Sequence, residues 1–336
     1  MKLNPALKKR SLMSLNDFSD AEMLELIDLA IALKERRDNG IRGELLKRKN
    51  FALIFEKSST RTRCSATIAA QDEGGCATYL NGNDIHLGAK ESVKDTARVL
   101  GRMFDGIMFR GFAQDTVEQL REFSGIPVWN GLTDDYHPTQ ILADLMTMKQ
   151  CFGSVKGKKL VYIGDGRNNV ANSLMLGCAK AGVNYVNCTP PELNPLPELV
   201  EHARKIAANN GSTVEVMHNP EEAVVGANVL YTDVWVSMGE EAKKAERLKL
   251  LAPYQITMDL MKKTGNADGE LIFLHCLPAF HDNQTTASKD TGALEVTDEV
   301  FESKYSKVFD EAENRMHTIK ALFVSSLTSA DEFETK

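Results

Sequence analysis

The sequence predicts an α/β protein of two domains, each a parallel β-sheet flanked by helices. Three observations carry this. Short apolar runs alternate with helical patterns along most of the chain, as in repeated βαβ units. At 336 residues the chain exceeds the usual size of one domain, so two cores are expected. Chemically capable polar residues recur at the carboxyl ends of the predicted strands, where open α/β sheets bind ligands. Such clustering points to a site in an interdomain cleft.

Composition narrows the classes further. With 43% hydrophobic and 26% charged residues, the chain has the make-up of a globular protein with full cores. A net charge of −7 argues against nucleic acid or an anionic membrane as the main partner. No apolar run approaches the roughly 20 residues that span a bilayer. Residues 1–10 lack the apolar core and cleavage site of a secretory signal. Cys64, Cys76, Cys151, Cys178, Cys188 and Cys276 form neither a CxxC pair nor a His/Cys cluster, so no metal site or disulfide framework is expected. The expected location is cytoplasmic, with reduced thiols.

In chain order, residues 16–37 read as an amphipathic helix with Asp20 as its cap and Asn39-Gly40 as its stop. Phe51–Phe55 is a buried strand, followed by the polar stretch 56–63 and a helix over 64–75 that glycines close. Residues 77–80 read as a strand, 81–90 as a polar loop, 91–104 as a helix, 106–110 as a strand, 115–124 as a helix and 126–129 as a strand. A long helix, 141–151, ends this first unit. The second alternates a strand before Gly164, helix 168–180, strand 185–188, a proline-rich loop, helix 198–209, strand 214–217, helix 220–225 and strand 229–233. Strand 271–274 and a final helix, 306–326, complete it; Val308, Phe309, Ala312, Met316, Ile319 and Phe323 form that helix's apolar face. The predicted domains are 1–152 and 153–305, with the C-terminal helix, 306–330, packing back on the first.

The stretch Ser59-Thr-Arg-Thr-Arg63 sits where a strand hands over to a helix N-terminus. Unbonded N–H groups and the positive dipole end favour an anion there, and arginine adds a planar fork for phosphate oxygens. The bland alternative is an N-cap with two solvated arginines. Arg110 closes its strand beside Gly111, whose missing Cβ allows backbone to come close. His137 and Gln140 lie at a helix start, where an imidazole is expected to stay neutral and donate to a carbonyl. Gly164-Asp-Gly166 tempts towards a dinucleotide fingerprint, but the third glycine is missing and Asn169 stands there instead. Asp233 offers a carboxylate suited to an ammonium, or simply turn chemistry. Cys276 reads as a nucleophile or as a small buried hydrophobe. Arg315 belongs to the final helix, on which apolar neighbours indicate packing.

Taken together, Ser59–Arg63, Phe109-Arg110-Gly111, His137-Pro-Thr-Gln140, Asp233-Val-Trp-Val-Ser-Met-Gly239 and His275-Cys-Leu-Pro278 resemble the motif set of the ornithine carbamoyltransferases, in the same order and over nearly the whole chain. The first and third are shared with aspartate carbamoyltransferases; the Ser-Met-Gly and His-Cys-Leu-Pro segments mark the ornithine branch. The resemblance implies that Ser59, Thr60, Arg61 and Thr62 hold the phosphate of carbamoyl phosphate. It implies that Arg110, His137, Gln140, Cys276, Leu277 and Arg315 surround the carbamoyl group, with Arg110, His137, Cys276 and Arg315 catalytic. Asn169, Asp233, Ser237 and Met238 would take L-ornithine. The family uses no metal or organic cofactor. It shares active sites between the subunits of a trimer, and the matching loop here carries His86. Three alternatives stay open: a putrescine carbamoyltransferase, a non-catalytic phospho-ligand-binding protein on the same fold, and a nucleotide-dependent dehydrogenase. The direction, arginine synthesis or breakdown, also stays open.

Overall fold

The computed structural model describes residues 1–82, 84–236, 243–286 and 288–334. The chain divides into two compact units, Met1–Met146 with Glu313–Lys336, and Thr147–Ala312. Both are α/β, and every pairing between neighbouring strands of the two sheets is parallel.

The first unit builds its sheet from β1 (Asn50–Phe55), β2 (Cys76–Asn81), β3 (Gly106–Arg110) and β4 (Val128–Leu132), in the order β2-β1-β3-β4. Its helices are α1 (Asp20–Asp38), α2 (Arg61–Gln71), α3 (Val93–Leu100), α4 (Gln114–Ser124) and most of α5 (Pro138–Phe152). β1 and β3 are buried almost throughout, as apolar strands of a covered parallel sheet should be. The second unit orders its strands β7-β6-β5-β8-β9. These are β5 (Lys159–Ile163), β6 (Asn184–Cys188), β7 (Val214–Met217), β8 (Val229–Thr232) and β9 (Ile272–His275). Its principal helices are α6 (Asn169–Ala181) and α7 (Pro197–Asn210). Short helices α8 (Pro220–Ala223), α9 (Lys244–Leu251), α10 (Met258–Lys263) and α11 (Asp298–Phe301) follow in turn.

The last helix, α12 (Val308–Leu327), starts in the second unit and ends in the first. Phe323 stacks on Phe51 of β1 with ring centroids 4.3 Å apart and meets Trp129 of β4 at 4.8 Å. Stacked rings of this size add about 0.5–1.5 kcal/mol each beyond their burial, so the C-terminal helix is fixed to the first sheet.

Several boundaries differ from expectation. The cap of α1 is Ser19, which forms a reciprocal capping box with Glu22, and Asp20 is the first helical residue. α2 begins at Arg61 rather than Cys64, so three of the motif's residues form its first turn. α3 is shorter than expected because Ser92 caps it and Gly101 closes it. Phe309, assigned to the apolar face of the last helix, is 66% exposed. Helices α9, α10 and α11 were not anticipated; α9 is rich in charge and only two turns long, which hides any apolar stripe.

His317 of α12 is buried beside Lys34, Arg37, Glu313 and Lys320. Burial first, then the charges of Lys320 and Lys34, pushes its pKa down to about 3 against the pull of Glu313. Unfolded, it titrates near 6.5. Below that pH the unfolded chain takes up a proton that the folded chain refuses, so stability is lost as pH falls from about 6.5 towards 3. The slope is about 1.4 kcal/mol per pH unit for one such group. Urea unfolding of His317→Leu at pH 6, 5 and 4 should show a dependence shallower by that amount; an unchanged slope would contradict a neutral buried His317.

Candidate active site

In an open α/β sheet, the crevice for ligands lies where the winding direction reverses. In the first unit the reversal falls between β1 and β3, so the segments after these strands face it together. After β1 come Glu56–Thr62, and β3 ends in Arg110. The structure brings these residues together with two distant ones, around the hydroxyl of Thr62.

Thr62 Oγ1 accepts from Arg110 Nη1 at 3.3 Å and from Arg315 Nη2 at 2.8 Å. Arg315 Nη1 donates to Gln140 Oε1 at 2.8 Å, and Gln140 Nε2 donates to Asp144 Oδ1 at 2.8 Å. Thr62, Arg110, Gln140, Asp144 and Arg315 are all buried. A hydroxyl has two acceptor positions and one proton. Both acceptor positions of Thr62 are taken by guanidiniums, which leaves its proton free to be donated. Asp144, one turn after Gln140 on α5, fixes the amide so that its oxygen faces Arg315; its spacing of four residues was readable but unremarked.

Backbone geometry makes room for this cluster. Arg110 pairs with Leu132 while Phe109 pairs with Asn130, so Gly131 is an extra residue on β4. A Cβ on Gly131 would lie 3.2 Å from Thr62 Cγ2. Gly131 therefore lets β4 approach Thr62, a role sequence reasoning missed. Ser59 Oγ accepts the Thr62 N–H at 3.3 Å, so it also serves as a local cap for α2, whose positive end stands here. Thr60 precedes α2 and is exposed; Arg61 is half-buried in its first turn. Arg63 turns away, its guanidinium 3.7 Å over the ring of Tyr79. Lys57, also missed, is buried, pairs with Asp134 at 2.5 Å and lies over Phe112.

His137 is buried directly before α5. Burial, then Arg315, Arg110 and Arg61 in that order, holds its pKa well below the usual histidine value. The ring is therefore neutral, and a neutral ring donates through one nitrogen only. His86 is exposed, and its carbonyl accepts from the N–H groups of Ala89 and Glu91. Among the described residues no hydrogen bond or ion pair joins its ring to the Thr62 cluster.

In the second unit the winding reverses between β5 and β8. Asp233, just past β8, accepts from Asn168 Nδ2 at 3.0 Å, from its neighbour Val234 N–H at 2.8 Å and from Cys276 Sγ at 3.0 Å. Asn168 caps α6, and half-buried Asn169 is its first residue. Asp165 holds the turn between β5 and α6 by a buried ion pair with Arg247 at 2.7 Å. Gly166 answers to packing, since a Cβ there would lie 2.6 Å from Asn187 Oδ1 and 2.8 Å from Leu193 O, whereas Gly164 takes a φ of +150°. The dinucleotide reading loses its only support.

His275, Cys276 and Leu277 leave β9 under tight control. The His275 N–H donates to Glu311 at 3.0 Å, its Nδ1 accepts from Leu277 N–H at 2.9 Å, and its Nε2 meets Glu295 at 3.1 Å. Leu277 has φ +57°, a left-handed conformation that costs a side-chain-bearing residue about 1–2 kcal/mol. Asp233, His275 and Cys276 bring ligand-type atoms within 4.8 Å of one another, yet both ring nitrogens of His275 are already committed. Ser237 and Met238 lie outside the described residues.

Two clusters, one of guanidiniums, hydroxyls and a neutral imidazole, the other of a carboxylate and amides, suit an oxyanion donor and an amino-acid acceptor. The chain belongs to the aspartate/ornithine carbamoyltransferase family: residues 10–150 match its carbamoyl-phosphate-binding domain and residues 156–326 its aspartate/ornithine-binding domain. It is 58% identical over 331 residues to the catabolic ornithine carbamoyltransferase of Bacillus licheniformis, covering 97% of this chain and 98% of that one. It is 54% identical to the catabolic ornithine carbamoyltransferase of Enterococcus faecalis, with the same coverage. The ornithine carbamoyltransferase of Pyrococcus furiosus superposes with a TM-score of 0.88 at 42% identity, covering 95% of this chain and 97% of that one.

Gly111 follows Arg110, and a Cβ there would lie 2.1 Å from Glu56 Oε2 and 2.3 Å from the Phe109 ring. Glu56 Oε2 also accepts the Phe112 N–H at 3.1 Å. Gly111→Ala should therefore cost about 1–3 kcal/mol in chemical denaturation, a loss that an otherwise similar change at open Gly269 would not show.

Proposed function

We propose that this chain is an ornithine carbamoyltransferase, converting carbamoyl phosphate and L-ornithine to L-citrulline and phosphate, reversibly. The observation that carries the reading is the convergence of Arg110 and Arg315 on Thr62 beside a neutral His137. The nearby relatives named catabolic support work in arginine breakdown, where the reaction runs from citrulline and phosphate.

Ser59, Thr60, Arg61 and Thr62 bind the phosphate at the positive end of α2. Arg110 bridges phosphate and carbamoyl oxygen. Gln140 Oε1, with one lone pair on Arg315, accepts from the carbamoyl amine with the other. Asp233 and Asn169, with Ser237 and Met238, take the α-amino and carboxylate groups of ornithine. Leu277 and Cys276 border the reacting amine; the left-handed backbone at Leu277 is the kind of strain that functional sites hold.

The uncharged δ-amine attacks the carbamoyl carbon. A C–N bond forms, the carbonyl oxygen takes the displaced electron pair, and collapse breaks the bond to phosphate while the amine's proton passes to the departing phosphate. Negative charge on the carbonyl oxygen meets Arg110, Arg315 and the N–H of neutral His137, donors placed beforehand. Phosphate departs into the residues that bound it. Fixing both reactants removes much of the entropic barrier. No step calls for a metal or an organic cofactor. The proposal includes a cytoplasmic homotrimer in which His86 serves a neighbouring subunit's phosphate, which gel filtration and light scattering would test.

Citrulline should form from ornithine and carbamoyl phosphate, and no product should form from putrescine, N-acetylornithine or aspartate. Carbamoylputrescine as the main product would move the assignment to another branch. Thr62→Val removes the shared hydroxyl and should lower kcat about 10²–10³-fold, the usual loss for one such donor, with Thr62→Ser recovering most of it; a valine variant of normal turnover would refute the role given to Thr62.

A further inference from the structure

The first unit holds a cavity of about 230 Å³ at the far end of α2 from Thr62. Leu33, Arg37, Gly40, Ile41, Arg42, Asp72, Glu73 and Lys320 line it. α2 runs roughly 16 Å from its first turn to its C-cap at Asp72, so the cavity is separate from the cluster around Thr62.

Its hydrogen-bonding groups are unevenly matched. Lys320 is buried and donates to Asp72 Oδ2 at 2.8 Å, leaving two of its three N–H groups over. Arg37 reaches the same carboxylate at 3.4 Å and gives another N–H to Met316 Sδ. Arg42 is exposed, and no hydrogen bond or ion pair engages it among the described residues. On the acceptor side Asp72 already serves two cations, and Glu73 takes the Leu45 N–H at 3.3 Å. Burial also raises the pKa of Glu73, against the pull of Arg36. Arg36 is buried with Nε and Nη1 unmet among the described residues, and its charge adds to the local field. Donors and positive charge are in excess, while Leu33 and Ile41 supply an apolar wall. What such a cavity lacks is an oxyanion.

We propose that this cavity is a second anion-binding site, taking a phosphate group, free or on a small organic body, between Lys320, Arg37 and Arg42. The ammonium and guanidinium donors suit phosphate oxygens, and the volume exceeds that of the bare ion. The site adds to the proposed phosphate-binding role of Thr62 and Arg61, and the two are separable by mutation.

Equilibrium dialysis of the full chain against labelled inorganic phosphate, at fixed ionic strength, should find two bound per chain. Arg61→Ala should keep one. Arg42→Ala should weaken the other about tenfold, the loss expected for one charge-assisted hydrogen bond, and leave citrulline formation unchanged. Lys320→Met should abolish it, and because Arg42 is exposed its variant keeps the test open if Lys320→Met does not fold. Displacement by glycerol 3-phosphate at lower concentration than by unlabelled phosphate would mark an organic phosphate as the occupant, and the reverse order the free ion. One phosphate per chain, lost in Arg61→Ala and indifferent to Arg42→Ala, would overturn the second site. A count unchanged by Arg61→Ala but lowered by Arg42→Ala would instead overturn the reading of the first.

Discussion

The first unit depends on a buried cation. Arg315 is 2% exposed, and its Nη1 and Nη2 donate to Gln140 and Thr62. Removing a guanidinium from water is unfavourable unless its donors are met. The oxygens of Thr62 and Gln140 satisfy hydrogen bonds without cancelling charge. The remaining field is felt by His137, whose second proton is opposed by Arg315, Arg110 and Arg61. An electropositive, largely dry site strengthens every contact to an incoming anion. It also ties the C-terminal helix to a threonine 253 positions earlier in the chain, so truncating the chain before α12 would remove chemistry as well as packing.

Both units place their reactive groups by the same rule. A parallel sheet needs crossovers, and where successive crossovers go opposite ways two strand ends are left without a covering connection. Thr62 and Arg110 follow the two strands at the first reversal; Asn168 and Asp233 follow the two at the second. The glycines nearby admit backbone rather than phosphate. Gly131 lets β4 come up to Thr62, and Gly166 lets the β5–α6 turn pack on Asn187 and Leu193. Within the broken dinucleotide pattern Gly166 is thus required for a packing contact and Gly164 for its backbone angle.

Much of this was legible in the sequence because strand ends can be read from apolar runs. The run Phe51–Phe55 fixes where Ser59–Arg63 must lie, and Gly106–Phe109 does the same for Arg110. The start of α2 was misjudged by three residues, since threonine and arginine at a helix start look the same as a polar loop. Asp144, Gly131, Glu295 and Glu311 escaped notice for a different reason. Each acts through another residue, and only tertiary contact reveals which one. That Arg315 reaches Thr62 was equally invisible, because helical periodicity gives the face of a residue but not its partner. The pairing of Ser237 and Met238 with a ligand rested on family resemblance alone.

In the proposed mechanism the second unit's chemistry turns on the contact between Cys276 and Asp233. The Cys276 sulfur lies 3.0 Å from Asp233 Oδ1, the place of a donor to that carboxylate. A thiolate beside a carboxylate would meet like-charge repulsion, which disfavours the nucleophilic form. The proposed mechanism accordingly gives this cysteine no covalent role. The same contact explains how Asp233 can wait for an ammonium. S–H is a weak donor, and an ammonium makes a shorter, charge-assisted bond to carboxylate. Ornithine's α-amino group would displace the thiol from Asp233, while Asn168 keeps the other oxygen in place. In the proposed mechanism Cys276 would then border the reacting amine beside Leu277. On this view the carboxylate is held in its binding orientation before the substrate arrives, and the exchange of a weak donor for a strong one favours the ammonium over a neutral amine.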